Sequence, residues 1–154
     1  MMTNLISNAL ERLAGKTLVT AESCTGGGIG AAITAVPGSS AVYKGGIISY
    51  TNWVKENILH VDGELLKQYG AVSMPVAKAM AEGARNVLNA DVAVSVTGLA
   101  GPGGDEFGNP VGTVFIGYSD KEKTYSKQFL FSGSREAVRN QAICEALKIV
   151  LEEN

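Results

Sequence analysis

Residues 17–36 read TLVTAESCTGGGIGAAITAV, and this stretch decides the fold. Thr17–Ala21 is an apolar, β-branched run bounded by polar and glycine residues, so it predicts a buried strand. AESCTGGG, residues 21–28, is a glycine-rich turn, and Ile29–Val36 has the composition of a short helix. Pro37-Gly38-Ser39-Ser40 stops that helix. Strand, glycine turn and helix in this order put Ser23 at the carboxyl end of a strand, where open α/β sheets hold their sites. The backbone N–H groups around Thr25, Gly26 and Gly27 are then expected at a helix N-terminus, placed for an oxyanion or a phosphate.

The flanking sequence extends the same pattern. Residues 3–14 predict an amphipathic helix with Leu5, Ile6, Leu10 and Leu13 on one face, ended by Gly15. Val42–Tyr50 predicts a second strand, and Thr51–Leu59 and Glu64–Tyr69 two short helices. Ser73 is the expected cap of an alanine-rich helix that runs to about Leu88, with Pro75 in its first turn. Asp91–Val96 predicts another buried strand. Val111–Tyr118 and Lys123–Phe131 predict a hairpin around Asp120, and Ser134–Leu151 a terminal helix. Apolar strands alternating with helices imply one α/β domain over residues 1–154. The expected architecture is a three-layer α/β/α sandwich with a mixed, mostly parallel sheet.

Composition narrows the function. Thirteen Lys+Arg against fifteen Asp+Glu give a net charge of -2, which disfavours a nucleic-acid binder driven by phosphate neutralisation. No apolar run reaches the roughly 18–20 residues of a membrane span, and the amino terminus lacks the basic and apolar regions of a signal peptide. Cys24 and Cys144 form no CxxC pair, so a reducing, cytoplasmic setting is the simple reading. A single histidine, His60, excludes a His-rich metal site, and a Ser-His-Asp triad would have to use that one imidazole.

Three readings compete for the first glycine cluster. Gly26, Gly28 and Ala31 fit a dinucleotide fingerprint, but the strand ending Ile47-Ile48-Ser49-Tyr50 offers no acidic residue for a ribose hydroxyl. The turn could also be a close-packing device only. The third reading is a nucleophile turn built on Ser23, although Ala21 and Thr25 stand where a G-x-S-x-G elbow has glycines. Gly15-Lys16-Thr17 has the tail of a Walker A loop without the preceding glycines and is rejected. A serine nucleophile needs a base. Lys55 qualifies if Asn52 caps its helix, because an ammonium at the third helical position is disfavoured by the helix dipole and by burial beside Trp53 and Tyr50. Cys24 is the rival nucleophile, or a small buried filler.

A second cluster, SVTGLAGPGGDEFGNPVGT at residues 95–113, predicts a long loop after a strand, of the kind that is usually either functional or disordered. Thr97 at the strand end falls near Ser23 if the two strands are neighbours. Arg135 and Arg139 are four residues apart and share a helix face, which suits phosphate or carboxylate recognition.

The segments AESCTGGG, GSSAVYKGGIISYTN, YGAVS, TGLAGPGG, NPVGTV and SGSREAVRNQA, in this order, resemble the carboxyl-terminal domain of the competence/damage-inducible CinA family. The resemblance runs from about Leu5 to Leu151. It implies a nicotinamide-nucleotide amidase, hydrolysing the carboxamide of nicotinamide mononucleotide to the acid and ammonia without a metal or organic cofactor. It implies Ser23 as nucleophile, Lys55 as base and Tyr50 as its support. It also implies Thr97 and the Gly101 loop as substrate contacts, and Arg135 as phosphate ligand. The implied partners are a small-molecule nucleotide and further copies of the chain, in a homo-oligomer, with neither nucleic acid nor membrane. Long members carry an additional amino-terminal domain, similar to molybdopterin-binding proteins, that this sequence does not contain. The alternative is a non-catalytic nucleotide-binding or protein-interaction module on the same fold.

Overall fold

A computed structural model describes residues 2–154. Five strands form one sheet: β1 (Leu18–Glu22), β2 (Tyr43–Ile48), β3 (Val92–Gly98), β4 (Thr113–Ser119) and β5 (Thr124–Leu130), in the spatial order β2-β1-β3-β4-β5. The helices are α1 (Met2–Arg12), α2 (Gly28–Thr34), α3 (Asn52–Asn57), α4 (Gly63–Tyr69), α5 (Met74–Val87) and α6 (Arg135–Glu153). β1 lies between β2 and β3, parallel to both, whereas β4 runs antiparallel to β3 and to β5. The sheet is mixed, as expected, but its pairings divide evenly. The hairpin adds two antiparallel pairs to the two parallel ones, because β3 connects to β4 by a loop instead of a crossover helix.

Strand alternation splits the core. Leu18, Val92, Val94, Val96, Val114, Ile116 and Tyr118 pack with the apolar stripes of α1, α2 and α6. Val19, Ala21 and Ala93 face the other way, against Leu66 of α4 and Val76, Met80 and Ala84 of α5. α5 is rich in alanine because it lies very close to the sheet. A Cβ at Gly117 of β4 would collide with the Ala77 carbonyl oxygen and with Ser95 Oγ, and Ser95 Oγ donates to that same carbonyl at 2.6 Å.

Two helix starts differ from expectation. Ser73 stands at the N-cap of α5, but its hydroxyl turns back to the Gly70 carbonyl at 2.9 Å and caps nothing. Thr51, not Asn52, caps α3, accepting from Val54 N, which moves Lys55 from the third to the fourth helical position. Among the described residues, no helix is long and apolar enough to cross a membrane.

Candidate active site

β1 and β3 are neighbours, so their carboxyl ends bring the two glycine clusters together. Ser23 follows β1 directly and donates its N–H to Val96 O of β3 at 2.9 Å, which anchors the nucleophile candidate to the sheet. Thr97 is next along β3. A hollow of about 450 Å³ opens at this edge, and Ser23, Tyr50, Lys55, Thr97, Gly101 and Arg135 all line it. Six of the nine expected site residues thus share one cavity. A larger hollow of about 660 Å³ adjoins it across Ala71, Val72 and Leu99, with acidic walls from Glu56, Asp105 and Glu106 and no nucleophile.

The geometry centres on Lys55. Its side chain is buried, with 1% exposed, although α3 is short and otherwise faces solvent. Nζ lies 3.1 Å from Ser23 Oγ and donates to Ser49 O at 2.6 Å. Among the described residues no carboxylate forms an ion pair with it. Burial without a counter-ion holds its pKa down from 10.5 to about 8. The helix-dipole argument contributes less than expected, since Lys55 sits one position further along a six-residue helix; desolvation is the cause. The Ser49 carbonyl consumes one amine N–H and so turns the remaining face of Nζ to Ser23. In the neutral form, the Ser23 hydroxyl can donate to that nitrogen.

Tyr50 lines the hollow, but its ring is 61% exposed. Lys55 bonds Ser23 and Ser49, and Tyr50 supplies neither contact. Cys24 is buried beside Ser23, and burial pushes its thiol up to about 11. It is a protonated filler, not a competing nucleophile. His60 is exposed on a left-handed backbone at the end of α3 and takes no part.

Thr25, Gly26 and Gly27 do not line the hollow. The N-terminus of α2, expected to receive an anion from outside, is filled by the chain's own Glu22. Four donors converge on its carboxyl oxygens: Thr25 Oγ1 and Ile29 N on Oε1, at 2.7 and 2.8 Å, and Gly30 N and Thr20 Oγ1 on Oε2, at 3.0 and 3.2 Å. Gly26 N–H is also spent, on Ser23 O at 3.1 Å. Sequence reasoning passed over Glu22. The signal was an acidic residue at the end of an apolar strand, just ahead of a glycine-rich helix start.

Thr97 Oγ1 donates to Ala71 O at 2.8 Å, so it fixes the 70–72 wall of the hollow. Arg135 and Arg139 do share a face of α6, but each reaches a loop carbonyl. Arg135 Nη1 donates to Gly101 O at 2.7 Å. Arg139 donates from Nε to Cys24 O and from Nη2 to Thr25 O, both at 3.0 Å. Among the described residues no cluster of His, Cys, Asp and Glu is placed to hold a metal ion.

The model of the CinA C-terminal domain matches residues 2–153. The chain belongs to the CinA C-terminal domain family. A CinA-like protein of Parasynechococcus marenigrum is 50% identical over 141 residues, 90% of this chain but 34% of its own length. The chain therefore spans about a third of the length of such curated relatives. Solved CinA-family structures match it throughout. The CinA superfamily protein from Escherichia coli superposes with a TM-score of 0.97 at 37% identity, covering 100% of this chain and 91% of that one. The competence/damage-inducible protein CihA from Agrobacterium tumefaciens does so with a TM-score of 0.94 at 35% identity, covering 98% and 94%.

Proposed function

We propose that the chain is a serine amidohydrolase of the CinA type that converts nicotinamide mononucleotide to nicotinic acid mononucleotide and ammonia. The observation that carries this reading is the buried, uncompensated Lys55 amine 3.1 Å from Ser23 Oγ. An amine whose pKa is held near 8 has a neutral fraction of about a fifth at physiological pH, about a hundredfold more than an ordinary lysine, and in that form can act as a general base. Lys55 takes the proton of Ser23 as Oγ bonds to the carboxamide carbon. The backbone N–H of Cys24, which follows Ser23 and lines the hollow, receives the negative charge of the tetrahedral oxygen. Lys55 then returns the proton to the leaving nitrogen, the C–N bond breaks, and ammonia departs. Water, deprotonated by the same amine, hydrolyses the acyl-enzyme and regenerates Ser23. The direct Ser23–Lys55 contact removes the need for a relay through Tyr50, which serves instead as the aromatic edge of the hollow. The ribose phosphate is assigned to the Gly101–Gly104 segment and to the N–H groups of Arg135 not used by Gly101.

Incubating the purified protein with nicotinamide mononucleotide should release ammonia and the acid in equal amounts, and Ser23→Ala should abolish both. A folded wild type that gains thermal stability from the nucleotide, yet releases no ammonia, would identify a binding module instead.

A further inference from the structure

We infer that Arg139 is the positioning residue of the oxyanion-binding turn, acting on the backbone from the side opposite the substrate. This rests on the amidase reading and goes beyond it, since Arg139 does not line the hollow. Its guanidinium holds two successive carbonyls, Cys24 O and Thr25 O. Both peptide units are trans, so each carbonyl points opposite to the N–H that shares its plane. Binding Cys24 O therefore directs Thr25 N–H away from α6, and binding Thr25 O does the same for Gly26 N–H. Gly26 N–H closes the turn on Ser23 O. That bond fixes the Ser23–Cys24 peptide, so the Cys24 N–H points the opposite way, and Cys24 is the residue of this turn that lines the hollow beside Ser23. A cation on the carbonyl end of a peptide also polarises its N–H end, which strengthens the bond from Gly26 N–H to Ser23 O and so the hold on the Cys24 N–H.

The local chain cannot supply this hold. Gly26 and Gly27 both have positive φ, 58° and 99°, and glycine alone does not lock such a turn. Glu22 fixes the far end, at Thr25 Oγ1, Ile29 N and Gly30 N. Arg139 fixes the near end, 115 residues away in sequence from Cys24. The two contacts come from different guanidinium nitrogens, Nε and Nη2, a spacing that the single nitrogen of lysine does not reproduce.

The test compares Arg139→Gln, Arg139→Lys and the wild type, with Val150→Ala as a destabilised control on the same helix. Two reactions are followed. One is steady-state hydrolysis of nicotinamide mononucleotide. The other is covalent labelling of Ser23 by an alkyl fluorophosphonate: the Ser23 Oγ–P bond forms, the P–F bond breaks, fluoride leaves and Lys55 takes the proton. Arg139→Gln should lower kcat and the labelling rate by about 10²-fold and leave KM unchanged, and Arg139→Lys should recover part of both. A kcat loss no greater than that of Val150→Ala at equal loss of Tm would overturn the proposal. So would a rise in KM with kcat intact, or a wild-type Ser23 that resists the probe. If the wild type labels but does not hydrolyse the nucleotide, the substrate assignment fails, and the labelling series still decides the role of Arg139.

Discussion

The two glycine-rich loops at the carboxyl edge of the sheet look alike in sequence and are built on opposite principles. After β1, Gly26 and Gly27 answer to backbone angle, with φ of 58° and 99°, and the glycines that open α2 answer to packing. A Cβ at Gly28 would lie 2.7 Å from Ile143 Cδ1 of α6, and one at Gly30 would lie 2.6 Å from the Tyr43 hydroxyl. In the loop between β3 and β4 the base is equally tight, with a Cβ at Gly101 placed 2.6 Å from Val111 Cγ1. Its outer part is not. A Cβ at Gly103 or Gly108 would meet nothing within 4 Å. The first loop is a rigid mount for Ser23, gripped by Glu22 and Arg139. The second is a tight stem with an open tip beside the hollow. The same residue type serves internal contact in one and external approach in the other.

The comparison can be broken most directly at the mount. Lys55→Met removes the proposed base and should lower turnover by about 10²–10⁴-fold, while the folded protein gains stability at neutral pH. The folded-state pKa of Lys55, about 8, lies below its ordinary 10.5, so between those values the unfolded chain binds more protons. Wild-type stability should therefore rise with pH from about 8 to 10.5, by up to about 3 kcal/mol, and Lys55→Met should flatten that rise in urea titrations at several pH values. Turnover of the wild type should climb with pH and level off above about 8, as the neutral amine saturates. A wild-type profile that falls over that range would remove Lys55 from the role of base.

Smaller effects separate the two loops. Gly28→Ala forces a methyl into Ile143, and denaturant unfolding should show a loss of about 1–3 kcal/mol. Gly103→Ala adds its methyl to open space, and its stability should stay within about 0.5 kcal/mol of the wild type. If the tip contacts the nucleotide, Gly103→Ala should nevertheless raise KM with kcat unchanged. If instead Gly103→Ala destabilises as much as Gly28→Ala, the distinction between mount and tip is wrong.

Much of this was legible in the residues. The β-branched run before Ser23, the breaker after Val36 and the polar turn at Asp120 signal the strand, helix and hairpin from their own chemistry. Ser23, Thr97 and Gly101 could be placed at one edge because parallel strands align their carboxyl ends. The capping of α3 was misread by one residue because Thr51 and Asn52 are both competent caps. Their backbone angles, which choose between them, depend on how the chain leaves β2. The anion site expected at Thr25–Gly27 was misplaced because Glu22 looks like any residue at a strand end until its side chain is seen to fill that helix start.

The sequence by itself determined the strand–turn–helix framework, the two helical arginines on one face and the presence of a serine, a lysine and two glycine loops suited to acyl chemistry. These follow from propensity and spacing over a few residues. Only the tertiary structure decided that Lys55 is stripped of water against Ser23, that Arg139 reaches back to the turn from the far end of the chain, and that the sheet divides evenly between parallel and antiparallel pairs. Desolvation and long-range hydrogen bonds depend on every element that packs around a group, and no local pattern encodes that sum.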